Sequence, residues 1–580
     1  MKITSFILIV VACFFAVMVQ AQTEKSKLEE LTKEFLSGYF KASPITATQT
    51  GVHTYDSLID DISPLAQEVE GKRLNSFKER FKSIDVSKLS KNASIDYRMI
   101  RENIDEMLFS TNELKEYEWN PMRYTADIGN AIASLIYQDF APLDERMHNT
   151  AGRLHRIPLY LEQAKGLLKN PPKLYVETAI SQNDGNISMI KEDVIKAASG
   201  TSSERQAEVK AGADEAIASL QAFGKWLDTD VKPTANRDTR IGKTLFEKKL
   251  THALKAGLTP SEVLNRAMAE KIRVHEEMYK LAAPLYKQYF NVEPGSDKLL
   301  VIRKVLDKIV LDHPKKEDVM DSIKSIIPQL EQFITDHNIL TLDPTQPLVI
   351  RETPEYERGF AVASLESPGP LEKNMKSFYN VTPIPNDWTE QQVESYLREY
   401  NHWSLIDLSM HEGVPGHYVQ LYYSNRNPSI VRSVFGSGSM IEGWAVYAER
   451  MMTDEGFANN DPRMKLINMK WYIRVVINAI IDHEIHAGTM TEGQAMDLMT
   501  KEGFQEEREA AGKWKRANLS SAQLSTYFVG FSEIWDLREA YKKKMGDKYS
   551  LKDFNETFLS YGSPPVKYIR EMMLDELIKK

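Results

Sequence analysis

Apolar positions recur every three to four residues over long stretches of the chain, with polar residues between them, and this spacing predicts helices as the dominant element. Lys27–Tyr39, Ser63–Ile84 and Ala93–Leu108 each read as one amphipathic helix, and Pro64 suits the first turn of the second. From Thr178 to Leu227 the alternation of apolar and charged residues predicts a helical hairpin broken at Ala198-Ser199-Gly200-Thr201-Ser202-Ser203. Pro260–Lys287 begins with Thr259-Pro260-Ser261-Glu262, the residue types of a capping box. One region departs from the helical period. Pro347–Pro354, Phe360–Leu365 and Ser377–Thr382 are short, β-rich and bounded by Pro, Gly and Asn, so they predict strands of a small sheet. The expected fold class is mainly α. The sheet either offers an edge strand to an extended peptide or simply buttresses the helix that follows it.

The N-terminus carries a different pattern. Met1-Lys2 supplies a positive start, Phe6–Val19 an apolar run, and Val19-Gln20-Ala21 a small-residue cleavage site, so residues 1–21 read as a secretory signal. The run is 14 residues long, short of the about 20 that span a bilayer, which argues against stable membrane insertion. Export, with a bacterial periplasm as destination, is the expected location; lipoprotein anchoring at Cys13 is the alternative. Cys13 is the only cysteine, so a chain cut after Ala21 has neither disulfides nor a thiol nucleophile.

At 580 residues the chain exceeds the usual size of a single core, so a large two-lobed body or several subdomains is expected. A boundary near Asn236-Arg237-Asp238 separates an N-terminal helical region, 22–238, from a region 239–580 that contains the sheet at 347–382. Hydrophobic residues make up 42%, charged residues 27%, and the net charge is −9. This is the composition of a soluble globular protein, and it argues against nucleic acid as a partner. Nothing in the sequence specifies an oligomer.

The chemistry-bearing segment is His411-Glu412-Gly413-Val414-Pro415-Gly416-His417, followed by Glu442 in Glu442-Gly443-Trp444-Ala445-Val446-Tyr447-Ala448-Glu449. His411, His417 and Glu442 supply a zinc-ligand inventory, and Glu412, beside the first histidine, is placed to act as a general base. The usual zinc-protease spacing puts two histidines four apart on one helix face. Here they are six apart, which on a regular helix leaves the side chains roughly 120° apart. A kink or π-type bulge at Pro415-Gly416 is expected to bring His417 back beside His411. Glu449, seven residues after Glu442, shares its face within roughly 20° and reads as an acid that orients a histidine rather than as a fourth ligand. Asp407, four before His411, has the same possibility. His483, in Asp482-His483-Glu484-Ile485-His486, is a rival ligand.

The chain resembles the bacterial family known as domain of unknown function 885, whose hallmark His-Glu-x-x-Pro-Gly-His-x-x-Gln it carries in full through Gln420. The family's Glu-Gly-Trp-Ala-x-Tyr-Ala-Glu block also matches at Glu442–Glu449. The resemblance implies a large helical, zincin-like zinc metallopeptidase, similar in site layout to the group around angiotensin-converting enzyme and thimet oligopeptidase, with Zn²⁺ as cofactor and a peptide as substrate. It implies that His486, with Asp482 as its partner, and Tyr527 steady an oxyanion. Arg538 matches an arginine of the family. Lys513, Lys515 and Arg516 form a cationic cluster, either a substrate-carboxylate site or a charged helix face. A carboxypeptidase or an oligopeptidase both suit this reading. Two other classes remain: a helical binding protein with a structural metal site, and a zinc hydrolase of non-peptide amides or esters.

Overall fold

Side-chain caps at helix starts and buried apolar stripes account for most of the architecture. The computed structural model describes residues 2–345, 348–353, 363–372 and 375–574, with side chains from residue 22 onward. The chain forms two units. The first comprises Met1–Asp238 with Gly369–Met375 and Ser429–Phe435; the second comprises Thr239–Pro368, Lys376–Pro428 and Gly436–Lys580. The short segments 369–375 and 429–435 thus group with the N-terminal part, although the sequence places them in the C-terminal region.

In the first unit, one helix runs Lys2–Ala42, taking in the expected Lys27–Tyr39 and continuing through the apolar leader. The side chains of the leader, Cys13 included, lie outside the described residues. Among the described residues no helix is long and apolar enough to cross a membrane. Pro64–Phe81 is capped by the Ser63 side chain, which accepts from Ala66 N, and Lys91–Phe109 by Ser90. The expected hairpin is present: a helix from Lys173 continues through a π-turn to Ala198, and the second arm runs Ser203–Trp226. Its core joins Tyr124, Ile128, Met147, Leu154, Ala213 and Leu220, all buried.

The second unit carries the chemistry-bearing residues. Pro260–Phe290 starts with the expected capping box, Thr259 with Glu262. The sheet has three strands, β1 (Leu348–Glu352), β2 (Ala363–Glu366) and β3 (Ser377–Val381), in the order β1-β3-β2. β1 pairs parallel with β3, and β2 pairs antiparallel with it. The remaining expected strand residues, Pro347, Pro354 and 360–362, lie outside the described residues. Six helices position the site: α1 (His402–Glu412), α2 (His417–Ser424), α3 (Gly438–Asp454), α4 (Pro462–His486), α5 (Glu507–Leu519) and α6 (Ser525–Met545). α3 and α6 cross at Gly443 and Gly530. A Cβ on Gly443 would overlap the Gly530 backbone, and one on Gly530 would overlap the carbonyl oxygen of Ser439, so only two glycines permit this approach.

Candidate metal centre

The Asn401 side chain caps α1 by accepting from the Trp403 and Ser404 amides at 3.1 and 3.2 Å. α1 ends at Glu412, so the expected bulge within one helix is replaced by a full break. Gly413 N and Val414 N both donate to Ser409 O, closing α1, and α2 begins at His417. The reason lies in the linker. Pro415 has no N–H to continue a helix, and Gly416 folds back so tightly that a Cβ there would overlap the carbonyl oxygens of His411 and Met410. Trp444 of α3 fixes this turn, its Nε1 donating to Pro415 O at 2.9 Å. His411 therefore ends one helix and His417 starts the next, with ring centroids 4.7 Å apart and planes at 86°.

Glu442 projects from α3 between the two rings. Its Oε2 lies 3.7 Å from His411 Nε2 and 3.4 Å from His417 Nε2. One ligand atom from each of the three residues falls within 4.8 Å of the others. That Glu442 oxygen is buried without a hydrogen-bond partner, an arrangement costly for a carboxylate unless a cation occupies the space between. The donor set of two imidazoles and one carboxylate suits Zn²⁺ with a position left open. Burial opposes the Glu442 charge, but the two histidines outweigh it and hold its carboxyl well below the usual range.

Glu449 lies one helical repeat further along α3 and accepts from His411 Nδ1 at 2.5 Å, which leaves Nε2 facing Glu442. Burial disfavours the charged His411 ring, yet its carboxylate neighbours Glu442 and Glu449 raise its pKa well above the ordinary value. Asp407 does not reach a histidine. It sits behind Glu449, fully buried, its Oδ1 accepting from Asn468 Nδ2 at 2.9 Å. Burial, then the Glu449 charge, push its carboxyl well above the usual range.

Glu412 turns toward the sheet, and its Oε2 accepts from Leu365 N of β2 at 3.1 Å. Burial raises its pKa, partly offset by the adjacent histidines. Tyr527, in the first turn of α6, stacks near His411 with ring centroids 6.5 Å apart. Its hydroxyl accepts from Arg516 Nη2 at 3.2 Å and Gln523 Nε2 at 3.3 Å. Burial and the charge of Glu442 raise its pKa. His411, Glu412, Glu449 and Tyr527 all line one cavity of about 1050 Å³.

Other expected residues stand elsewhere. His486 is buried and does not line this cavity; its Nε2 faces the carbonyls of Ala517 and Ser520 at 2.9 and 2.7 Å, and its ring stacks on Phe246. One turn earlier, Asp482 accepts from Ala522 N, Ser525 N and Ser525 Oγ. Together they clamp the segment that leads into α6, so they support Tyr527 from behind rather than facing a substrate. His483 packs edge-on against Phe246 and is not part of the metal cluster. Arg538 is buried over the Trp535 and Tyr447 rings and donates from Nε to Tyr549 Oη, so it is not a cavity cation. Of the cationic cluster, Lys513 and Arg516 line the cavity, whereas Lys515 does not. Gln420, the last residue of the hallmark, anchors α2 by donating to Ser563 Oγ at 2.8 Å.

Sequence reasoning missed the Leu365–Glu412 hydrogen bond, the Trp444 anchor and a buried ionic network along the cavity. In that network Glu399 accepts from Lys470 and Arg474, and Arg474 also donates to Glu509. The pair Gly443 and Gly530 was a readable signal for a close helix crossing.

Comparison with known proteins places these features in a family. A solved structure of a candidate lipoprotein of unknown function from Shewanella oneidensis is similar at 39% identity and a TM-score of 0.83, covering 94% of this chain and 99% of its own. A second, of a candidate lipoprotein from Colwellia psychrerythraea, shares the fold with a TM-score of 0.79 at 16% identity, covering 95% and 99%. No curated protein matches the chain. The model of the family described as bacterial protein of unknown function, DUF885, matches residues 44–573, and the chain belongs to this family.

Proposed function

We propose that the protein is a zinc-dependent metallopeptidase, zincin-like in its site layout, that hydrolyses peptide bonds. The observation that carries this reading is the convergence of His411, His417 and Glu442 on one point, with Glu412 and Tyr527 facing the same cavity. A Zn²⁺ ion held by the three ligands supplies a Lewis acid and lowers the pKa of water. Glu412 takes a proton from the attacking water and delivers it to the leaving amine, so that one water and one peptide become an acid and an amine. The Tyr527 hydroxyl, oriented by Arg516 and Gln523, donates to the oxygen on which negative charge develops. Glu449 holds the His411 ring in the ligating orientation.

The presence of Glu412 favours an enzyme over a structural metal site, which needs ligands but no adjacent base and closes its fourth position with protein. Export is part of this reading, and the description of the Shewanella oneidensis relative as a candidate lipoprotein supports it. N-terminal mass analysis of the mature protein tests whether processing falls after Ala21 or ahead of a lipidated Cys13.

The function test pairs metal analysis with peptide cleavage. The wild type is expected to carry about one zinc per chain and to cleave members of a peptide library. Glu412→Gln should keep the zinc and lose roughly 10²–10⁴-fold in turnover, and His411→Ala should lose both. Undiminished hydrolysis by Glu412→Gln would overturn the role of that acid. A wild type that binds no zinc when supplied with it would overturn the enzyme reading, and cleavage of amides or esters but no peptide would move the substrate class.

A further inference from the structure

Two helix faces line the cavity beside the metal centre. On α4, Trp471, Arg474 and Asn478 recur at three- and four-residue spacing; on α5, Glu509, Lys513 and Arg516 do the same. Arg474 is satisfied by Glu399 Oε1 and Glu509 Oε1, each at 2.7 Å, and Lys470 takes Glu399 Oε2 at 2.8 Å. Arg516, on the same face as Lys513, donates to Gln523 Oε1 at 2.9 Å and to Tyr527 Oη at 3.2 Å. Lys513 stands apart, since no hydrogen bond or ion pair holds it among the described residues. Burial and the neighbouring Arg474 lower the Lys513 ammonium to about 7, a condition that an added anion would relieve.

Two more polar groups on these faces lack partners. Trp471 Nε1 and Asn478 Oδ1 are buried without hydrogen bonds, and Asn478 is only 5% exposed. Indole Nε1 can only donate, whereas a side-chain amide offers both a donor and an acceptor. A carboxylate next to a peptide N–H meets all three needs: its oxygens accept from Lys513 and Trp471, and its N–H donates to Asn478. An acidic side chain carries no N–H beside its carboxylate, so the acceptor on Asn478 favours a chain terminus. The same faces reach the metal centre through Arg516, whose guanidinium touches Tyr527 Oη.

We propose that Lys513, Trp471 and Asn478 form a subsite for the C-terminal carboxylate of a peptide, so that substrates enter by their free C-terminus; this rests on the peptidase reading above. The test uses Glu412→Gln protein with zinc supplied and three probes in calorimetric titration. These are N-acetyl-Ala-Phe-Ala, its C-terminal amide, and N-acetyl-Ala-Phe-Glu amide. The free acid should bind at least about tenfold more tightly than either amide, and adding Lys513→Met should erase that preference. Adding Asn478→Asp instead should weaken the acid more than the amides, while thermal unfolding reports whether each variant is folded. Equal binding of acid and amide, equal binding of the glutamyl amide, or a preference that survives both substitutions would overturn the subsite. Wild-type turnover of the same peptides separates the two proposals. Cleavage without acid preference overturns the subsite and leaves the peptidase; acid preference in binding without cleavage does the reverse.

Discussion

Replacing Glu449 by glutamine tests whether the second carboxylate of α3 sets the metal affinity. In the structure His411 Nδ1 points at Glu449 Oε1 at 2.5 Å, and the Glu449 side chain is only 3% exposed. The hydrogen bond fixes the tautomer that leaves Nε2 free to ligate, and the negative charge makes the ring a stronger donor to a cation. Glutamine keeps an acceptor oxygen but removes the charge, so the orientation survives and the electrostatic contribution does not. Losing such a partner weakens metal binding by roughly 10–100-fold, or about 1.4–2.7 kcal/mol. Competition with a chromogenic zinc chelator at pH 7.5 reads this directly, with circular dichroism as the check on folding. Asp407→Asn is the matched control. Because burial and the Glu449 charge push the Asp407 carboxyl well above its usual range, a neutral amide in its place changes little, and zinc affinity should change by no more than a few-fold. Wild-type affinity in Glu449→Gln would refute the reasoning, as would an Asp407→Asn loss equal to that of Glu449→Gln.

Gly530→Ala forces apart α3 and α6 at their crossing, so urea unfolding should show a loss of about 1–3 kcal/mol or more; unchanged stability would mean that the crossing tolerates a methyl. His486→Gln keeps a donor for the Ala517 and Ser520 carbonyls, so turnover should fall far less than the 10²–10³-fold expected of an oxyanion donor, whereas Tyr527→Phe should show that full loss. The reverse ranking would restore His486 to the reacting centre. In the first unit, burial lifts Asp60 from 3.8 to about 6 while it accepts from Ile45 N. Between those values the folded state binds more protons than the unfolded chain, so stability falls as pH rises, by at most about 3 kcal/mol. Asp60→Asn should therefore be more stable than the wild type at pH 8 and indistinguishable from it near pH 3.5 in paired urea titrations.

Much of the helical fold is legible because burial imposes a period on the sequence. Ser63, Thr259 and the Ala198–Ser203 break all mark real element ends. The cluster of His411, His417 and Glu442 is legible for a different reason: two histidines and a glutamate near an extra acid form a recognisable donor set. The path between the histidines is not. Helical angles describe a chain that continues, whereas at Gly416 it reverses onto the helix it has just left. His486 and Arg538 show a further limit, since an imidazole or a guanidinium is the same residue whether it faces a substrate or a carbonyl. Their partners at Ala517, Ser520, Trp535 and Tyr549 decide the matter, and those contacts exist only once α4, α5 and α6 have packed. Lys513 reads as one of a cationic cluster until Glu399, over a hundred residues earlier, and Glu509 are seen to take Arg474 and leave the lysine without a hydrogen bond.

The block Glu442–Glu449 concentrates the geometry of the centre in two turns of α3. Glu442 supplies the carboxylate between the two rings, and Gly443 admits α6 and with it Tyr527. Trp444 holds the turn from which His417 emerges, and Glu449 orients His411. Each of the other elements is therefore referenced to one helix rather than to its neighbours in sequence. This explains how side chains from separate helices can meet within a few ångströms even though His411 and His417 sit on either side of a helix break. It also sets an order of sensitivity. A change at Glu412 leaves the frame intact, whereas a change at Gly443 or Trp444 moves side chains of the cluster that it does not touch.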